Sequence, residues 1–249
     1  MNPTVSKIKE DIRKLGISEG DSLLVHASLN AVGRFQNRTE VLIDAFLEVL
    51  GPDGTLLMPA LSYKTVTREN PVFDVRQTPS CVGALTEYFR TMPGVERSIH
   101  PTHSVSAIGR RAGWFVEDHL EDDTPCGSHS PFAKLKEVNG RVMFLGCGPK
   151  PNTSMHAIEE LVVPPYLFGD PVVYTLHLAD GKTIDKAYIR HGFQGYEQRY
   201  DRLLDVLDKQ DYRCGKVLEA DTITVDSVSM WDKAEKKLSQ DPLYFVDKV

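Results

Sequence analysis

The residues with the clearest chemical potential lie in Gly146-Cys147-Gly148-Pro149-Lys150-Pro151-Asn152-Thr153-Ser154-Met155-His156-Ala157-Ile158-Glu159. His156 and Glu159 are spaced i, i+3, so on a helix they share one face. A carboxylate so placed orients an imidazole and stabilises its protonated form, as a general base working near neutral pH requires. The same spacing also arises as an incidental pair on a surface helix. A second cluster is His100-Pro101-Thr102-His103-Ser104. Its histidines and hydroxyls can bond a ligand, but His-x-x-His on an extended segment, with no third ligand nearby in sequence, is thin for a metal centre. Cys81, Cys126, Cys147 and Cys214 form no C-x-x-C pair, so reduced thiols are expected rather than structural zinc or a disulfide framework. A metal-dependent hydrolase using His100, His103, His156 and Glu159 is the rival chemistry.

The elements around these residues decide whether they meet a ligand. Residues 142–145 are a short apolar run between Gly140 and Gly146, which predicts a strand buried on both faces. Gly146, Gly148, Pro149 and Pro151 force a turn, and Asn152, Thr153 and Ser154 can cap the helix that follows. The His156–Glu159 pair is thus predicted where a strand gives way to a helix, the place where open α/β sheets bind ligands. Upstream, Val5, Ile8, Ile12 and Leu15 are spaced as an amphipathic helix, and 21–27 reads as a strand. The loop from Ser28 to Gly33 can offer backbone N–H groups to a phosphate, though it carries no Walker or GxGxxG pattern. Thr39 can cap a helix running to Leu50, and 55–59 is a second strand.

Residues 62–78 read as a long polar loop, of the kind that is usually functional or mobile. A helix is predicted over 82–92, an alternating strand over 104–108 and a short helix over 112–119. An acidic loop, 120–125, precedes Ser130 and Pro131, a cap and first residue for a helix over 132–136. Beyond Pro164 and Pro165, 172–178 and 183–189 flank an Asp180-Gly181 turn, a hairpin signal. Residues 191–207 are predicted mostly helical, with Tyr196, Tyr200, Leu203, Leu204 and Leu207 on one side. A strand pair within 217–225, a helix over 230–238 and a tail from 241 complete the chain. No internal repeat or low-complexity linker divides it, so one α/β domain over 1–249 is expected, with the hairpin as an added meander.

A formal charge of −6 argues against a nucleic-acid partner and is compatible with a small cationic ligand. No apolar run approaches the roughly 20 residues of a membrane span. The start of the sequence leads into a charged amphipathic stretch rather than a signal-peptide core, so a cytoplasmic location and no membrane partner are expected.

Five segments, taken together, resemble a known family. They are Ser28-Leu29-Asn30-Ala31-Val32-Gly33, Gly51-Pro52-Asp53-Gly54-Thr55-Leu56-Leu57-Met58-Pro59, His100-Pro101-Thr102-His103-Ser104, Gly127-Ser128-His129-Ser130-Pro131-Phe132 and Asn152-Thr153-Ser154-Met155-His156-Ala157-Ile158-Glu159. In this order and spacing they look like the aminoglycoside 3-N-acetyltransferases, strongly over 21–160 and loosely beyond. The resemblance implies a three-layer α/β/α fold with a central mixed sheet. It also implies acetyl-coenzyme A as co-substrate, no metal, and the 3-amino group of an aminoglycoside antibiotic as acceptor, hence a resistance enzyme.

By position, Ser28, Leu29, Asn30, Ala31, Val32 and Gly33 match the segment contacting the coenzyme's pyrophosphate. Thr102 and Ser104 match the region lining the pantetheine and thioester, with Thr102 also a candidate donor to the reacting carbonyl oxygen. His156 matches the base and Glu159 its partner. Glu121, Asp122 and Asp123 are then expected to neutralise the cationic acceptor, with Glu197 and Asp201 as further candidates. Cys147 is read as structural, and the chain as a monomer or homodimer. A member that acetylates a different amine, or only binds coenzyme A, is the alternative within the family.

Overall fold

The structure, a computed structural model, describes residues 3–249. The chain opens with α1 (Pro3–Lys14), β1 (Ser22–Ala27), α2 (Arg38–Leu50) and β2 (Thr55–Pro59). There follow β3 (Val72–Asp74), α3 (Ala84–Arg90), β4 (Glu96–Arg97), β5 (Val105–Gly109), α4 (Ala112–Val116) and α5 (Pro131–Glu137). Ser130 caps α5 as its residue type predicts, accepting from Ala133 N, with Pro131 at the first position. The site region is β6 (Arg141–Leu145) and α6 (Ser154–Val162). The remainder is β7 (Phe168–His177), β8 (Thr183–His191), β9 (Tyr196–Gln198), α7 (Leu203–Val206), β10 (Tyr212–Val217), β11 (Ala220–Asp226), α8 (Ser227–Gln240) and β12 (Val246–Lys248).

Among the described residues, seven strands form the main sheet in the order β10-β11-β6-β1-β2-β5-β4. β1 lies parallel to both β2 and β6. β5 runs antiparallel to β2, and β11 antiparallel to β6, so the sheet is mixed. Its side chains alternate between two apolar layers, as a period of two demands. Leu24, Val142 and Phe144 pack with Phe115, Phe132, Ile158 and Trp231 on one face. Leu23, Val25, Met143 and Leu145 pack with Ile8, Leu42, Phe46 and Phe89 on the other. Each such buried Leu or Phe contributes about 1.5–3 kcal/mol. With helices against both faces, the architecture is the expected three-layer α/β/α sandwich.

Three stretches differ from the sequence reading. Residues 191–207 are not mainly helical: β8 runs to His191, β9 follows, and helix is confined to a 3-10 turn (Tyr200–Arg202) and α7. Phe193 and Gly195 take positive φ, 51° and 77°, which no helix tolerates. The apolar spacing that suggested a helix comes from side chains serving separate neighbours. The loop at 62–78 contains β3, which pairs with β7, and it buries Val66, Phe73 and Val75. It is the third strand of the hairpin's own sheet, β3-β7-β8. The tail is also structured, because β12 pairs with β9 while Arg199 and Arg202 both reach Asp247. No helix among the described residues is long and apolar enough to cross a membrane.

Candidate active site

The parallel strands β1 and β6 end side by side, and beyond them lies a cavity of about 510 Å³. His26 and Ala27 line it from the end of β1, and Cys147, Asn152, Thr153 and His156 from the turn and helix after β6. His103, His191, Phe193 and Tyr200 close it from the other side. Strand ends leave backbone groups and the first helical residues facing outward, which is why open α/β sheets carry ligand sites there. The turn needs glycine at Gly146: its φ is +69°, and an added Cβ would lie 2.3 Å from the Ala31 Cβ. Asn152 Oδ1 then accepts from Ser154 N at 3.1 Å, bending the chain into α6.

α6 places His156 and Glu159 on one face, as their spacing predicts. His156 Nδ1 lies 3.0 Å from Glu159 Oε2 and 2.9 Å from the Tyr200 hydroxyl. The Glu159 carboxylate is fully buried and also accepts from Tyr200 Oη at 2.7 Å and Tyr166 Oη at 2.8 Å. Three donors offset the cost of burying that charge. Since both neighbours of Nδ1 can accept a proton and the carboxylate must, Nδ1 carries the hydrogen and Nε2 keeps its lone pair. Burial and the adjacent carboxylate hold the Tyr200 hydroxyl far above its ordinary range, so it stays protonated and donates.

Two further imidazoles crowd the His156 ring. His191 sits 4.5 Å away centroid to centroid, and His103 5.8 Å away. His103 Nδ1 is 2.8 Å from Thr102 Oγ1, and His191 Nε2 is 2.8 Å from Glu160 Oε1. Burial and neighbouring histidines push His103 and His191 well below the usual imidazole range, leaving both neutral. Burial lifts Glu160 to about 7, against bonds from Thr124 Oγ1 and Cys126 N. One ring nitrogen from each of His103, His156 and His191 lies within 4.8 Å of the others, a grouping able to hold a metal. Cys147 lines the cavity, but burial pushes its thiol up to about 12, so it is no ready nucleophile.

The other expected site residues divide. Ser28 to Gly33 follow β1 as a 3-10 turn over Leu29–Val32, with Gly33 at φ +90°. Arg38 fixes it through Leu29 O, Gly33 O and Asn30 Oδ1. Thr102 is not among the residues lining the cavity, although its neighbour His103 is; its hydroxyl is engaged by His103, and its N–H and that of His103 both go to His100 Nδ1. Ser104 is fully buried between Ala60 O and Arg97 Nε, so its role is to hold the chain.

Glu121, Asp122 and Asp123 are not among the residues lining this cavity. Asp122 is buried against His129, and Asp123 pairs with Lys186. Glu197 pairs with Lys150 and Asp201 with Arg199. The acceptor-binding role expected of these carboxylates therefore lacks a place at the cavity wall, whose charged member is Arg190. The hydrolase set of His100, His103, His156 and Glu159 does not assemble either: among the described residues the grouping that brings ligand atoms together is His103, His156 and His191, with neither His100 nor Glu159 in it. Tyr166, Tyr200, Glu160 and His191 escaped sequence reasoning. Tyr200 looked like one more apolar residue of a helical stripe.

The family model described as aminoglycoside 3-N-acetyltransferase matches residues 24–239. The chain is similar to aminoglycoside N(3)-acetyltransferase IV of Salmonella sp, 34% identical over 179 residues that cover 71% of this chain and 65% of that protein. The match thus spans slightly under two thirds of that relative's length. The fold is similar to that of the YokD protein from Bacillus subtilis, with a TM-score of 0.84, 25% identity, and 96% and 94% of the two chains covered. It is also similar to a structure described as AAC-IIIb binary with CoASH, with a TM-score of 0.83, 27% identity, and 95% and 96% covered.

Proposed function

The chain belongs to the aminoglycoside 3-N-acetyltransferase family, and from that premise we propose that it transfers an acetyl group from acetyl-coenzyme A to the 3-amino group of an aminoglycoside, with His156 as general base. One observation carries the reading: His156 faces the cavity with Nδ1 tied to Glu159 and Tyr200, which leaves Nε2 to take a proton. An amine attacks a thioester through its lone pair, and the nitrogen must lose a proton as the new C–N bond forms. Nε2 accepts that proton, and the imidazolium is stabilised by the buried Glu159 carboxylate. Such general-base help is worth about 10²–10⁴ in rate.

As the amine adds, the thioester oxygen gains negative charge and needs donors. Thr102 is engaged by His103, so the Thr153 side chain and the positive end of α6 are the groups the wall offers. Collapse of the tetrahedral intermediate expels the coenzyme thiolate and leaves the amide. No acyl-enzyme is needed, consistent with the protonated Cys147 thiol. The AAC-IIIb complex with CoASH supports coenzyme A as the donor's carrier, and the Ser28–Gly33 turn at the end of β1 is the segment proposed to meet its pyrophosphate.

A second reading is favoured by one feature. The cavity lining contains Arg190 and no aspartate or glutamate, an unusual wall for a polycation. An amine of lower charge would suit it better. Thiol release from acetyl-coenzyme A, measured against a panel of aminoglycosides and of monoamines, tests both. Acetylation of an aminoglycoside at the 3-amino group supports the first reading. Turnover of monoamines alone supports the second, and thiol release with neither overturns both.

A further inference from the structure

The geometry points to a zinc site built from His103, His156 and His191 in the cavity wall, with its fourth position open to the cavity. One nitrogen of each ring lies within 4.8 Å of one nitrogen of each of the others. Zinc holds imidazole nitrogens at about 2.0–2.1 Å in a tetrahedron, so its ligands are roughly 3.3 Å apart. A contraction of about 1 Å per ring closes the site, within reach of small side-chain rotations.

The hydrogen bonds around the three rings say which nitrogens are free. His103 Nδ1 is bonded to Thr102 Oγ1, His156 Nδ1 to Glu159, and His191 Nε2 to Glu160. Each ring thus has one nitrogen fixed by an outer partner, two of the three by carboxylates, and one left over. Metal-binding histidines are held in this way, the partner setting the tautomer and strengthening the donor nitrogen. His191 Nδ1 is the telling atom, since it is buried and has no hydrogen-bond partner. A buried polar atom without a partner is costly, and a metal ion would satisfy it. Three imidazoles with an open fourth position suit zinc better than magnesium or calcium, which demand oxygen.

Zinc at this position takes the Nε2 lone pair of His156. It therefore blocks acetyl transfer, making the site inhibitory. The binding claim stands on the three rings alone, whereas the inhibition rests on His156 being the base.

The test uses tag-free protein, stripped with a chelator and titrated with zinc against a competing chromophoric chelator. One zinc per chain is expected, with binding at least about 100-fold weaker in His191→Ala and His103→Ala and about 10-fold weaker in Glu160→Gln. His129→Ala, which removes a half-buried histidine beside Glu121 and Asp122, should bind as the unaltered chain does. Cobalt(II) absorption of the unaltered protein checks the geometry without any variant, intense four-coordinate bands being expected. No stoichiometric zinc, binding unaffected by both ligand variants, or weak six-coordinate cobalt bands would each overturn the site. Zinc bound through all three histidines with transfer unimpaired would keep the site and overturn the base.

Discussion

Replacing Glu159 by Gln removes a charge while keeping a shape. The amide oxygen can still accept from His156 Nδ1 and Tyr200, and its NH₂ can turn to the Tyr166 hydroxyl, which accepts in exchange. The fold around α6 should hold. What is lost is the partner of the imidazolium that forms when His156 takes the amine's proton. At the observed 3.0 Å, attraction between the two charges is about 5 kcal/mol at an effective dielectric of about 20. The amide dipole and its hydrogen bond recover part of this, leaving about 3–4 kcal/mol lost in the transition state, or about 10²–10³ in kcat. Glu159 does not line the cavity, so coenzyme affinity should be unchanged. The assay is steady-state thiol release with chelator present, alongside a coenzyme titration and a thermal melt. A folded Glu159→Gln protein turning over within about 3-fold of the unaltered chain would refute the reasoning, since it would show that no positive charge develops on His156.

Tyr200→Phe deletes a hydroxyl that touches both His156 and Glu159; kcat should fall about 10-fold and stability by about 1–2 kcal/mol, read by kinetics and denaturant melts. Cys147→Ser should keep kcat within about 3-fold, because the thiol takes no covalent part; loss of all turnover in that variant would contradict direct transfer. Gly146→Ala sets a methyl against Ala31 at a positive φ and should cost about 2–4 kcal/mol of stability, measured by denaturant unfolding. Stability should also fall as pH drops below about 6.5: burial holds His26 and His119 near 3 and His100 well below its ordinary value, so the unfolded chain binds protons that the folded chain refuses, at about 1.4 kcal/mol per pH unit per ring. Glu160, lifted to about 7, works in the opposite direction as pH rises from 4.5 to about 7, but it is one carboxyl against three rings, so melts from pH 7.5 to 5 should show a net loss.

The parts of this protein that could be read from sequence are those whose signals are local. Gly140 and Gly146 bracket β6, the Pro149–Pro151 turn forbids regular structure, and His156 and Glu159 are separated by less than one helical turn. The unbroken apolar runs of β1 and β6 carry the two-sided burial that makes a three-layer fold. The rest of the site is assembled across the chain. Tyr200 reaches His156 from 44 residues away, and His191 reaches Glu160 from 31 residues away, so neither pairing leaves a trace in spacing. Periodicity misled at 191–207 because Tyr196, Tyr200 and Leu203 are apolar at helical intervals, while Phe193 and Gly195 carry the backbone reversal. The acidic loop is legible in the sequence only as composition. Composition shows that carboxylates exist there, and says nothing of the Lys186 and His129 that occupy them.

The most direct measurement is acetyl transfer by His156→Ala with saturating acetyl-coenzyme A, chelator present, and coenzyme binding measured on the same preparation. The account predicts a rate lower by about 10²–10⁴, coenzyme binding intact, and partial rescue by added imidazole. Transfer at a near-normal rate by that variant would contradict it.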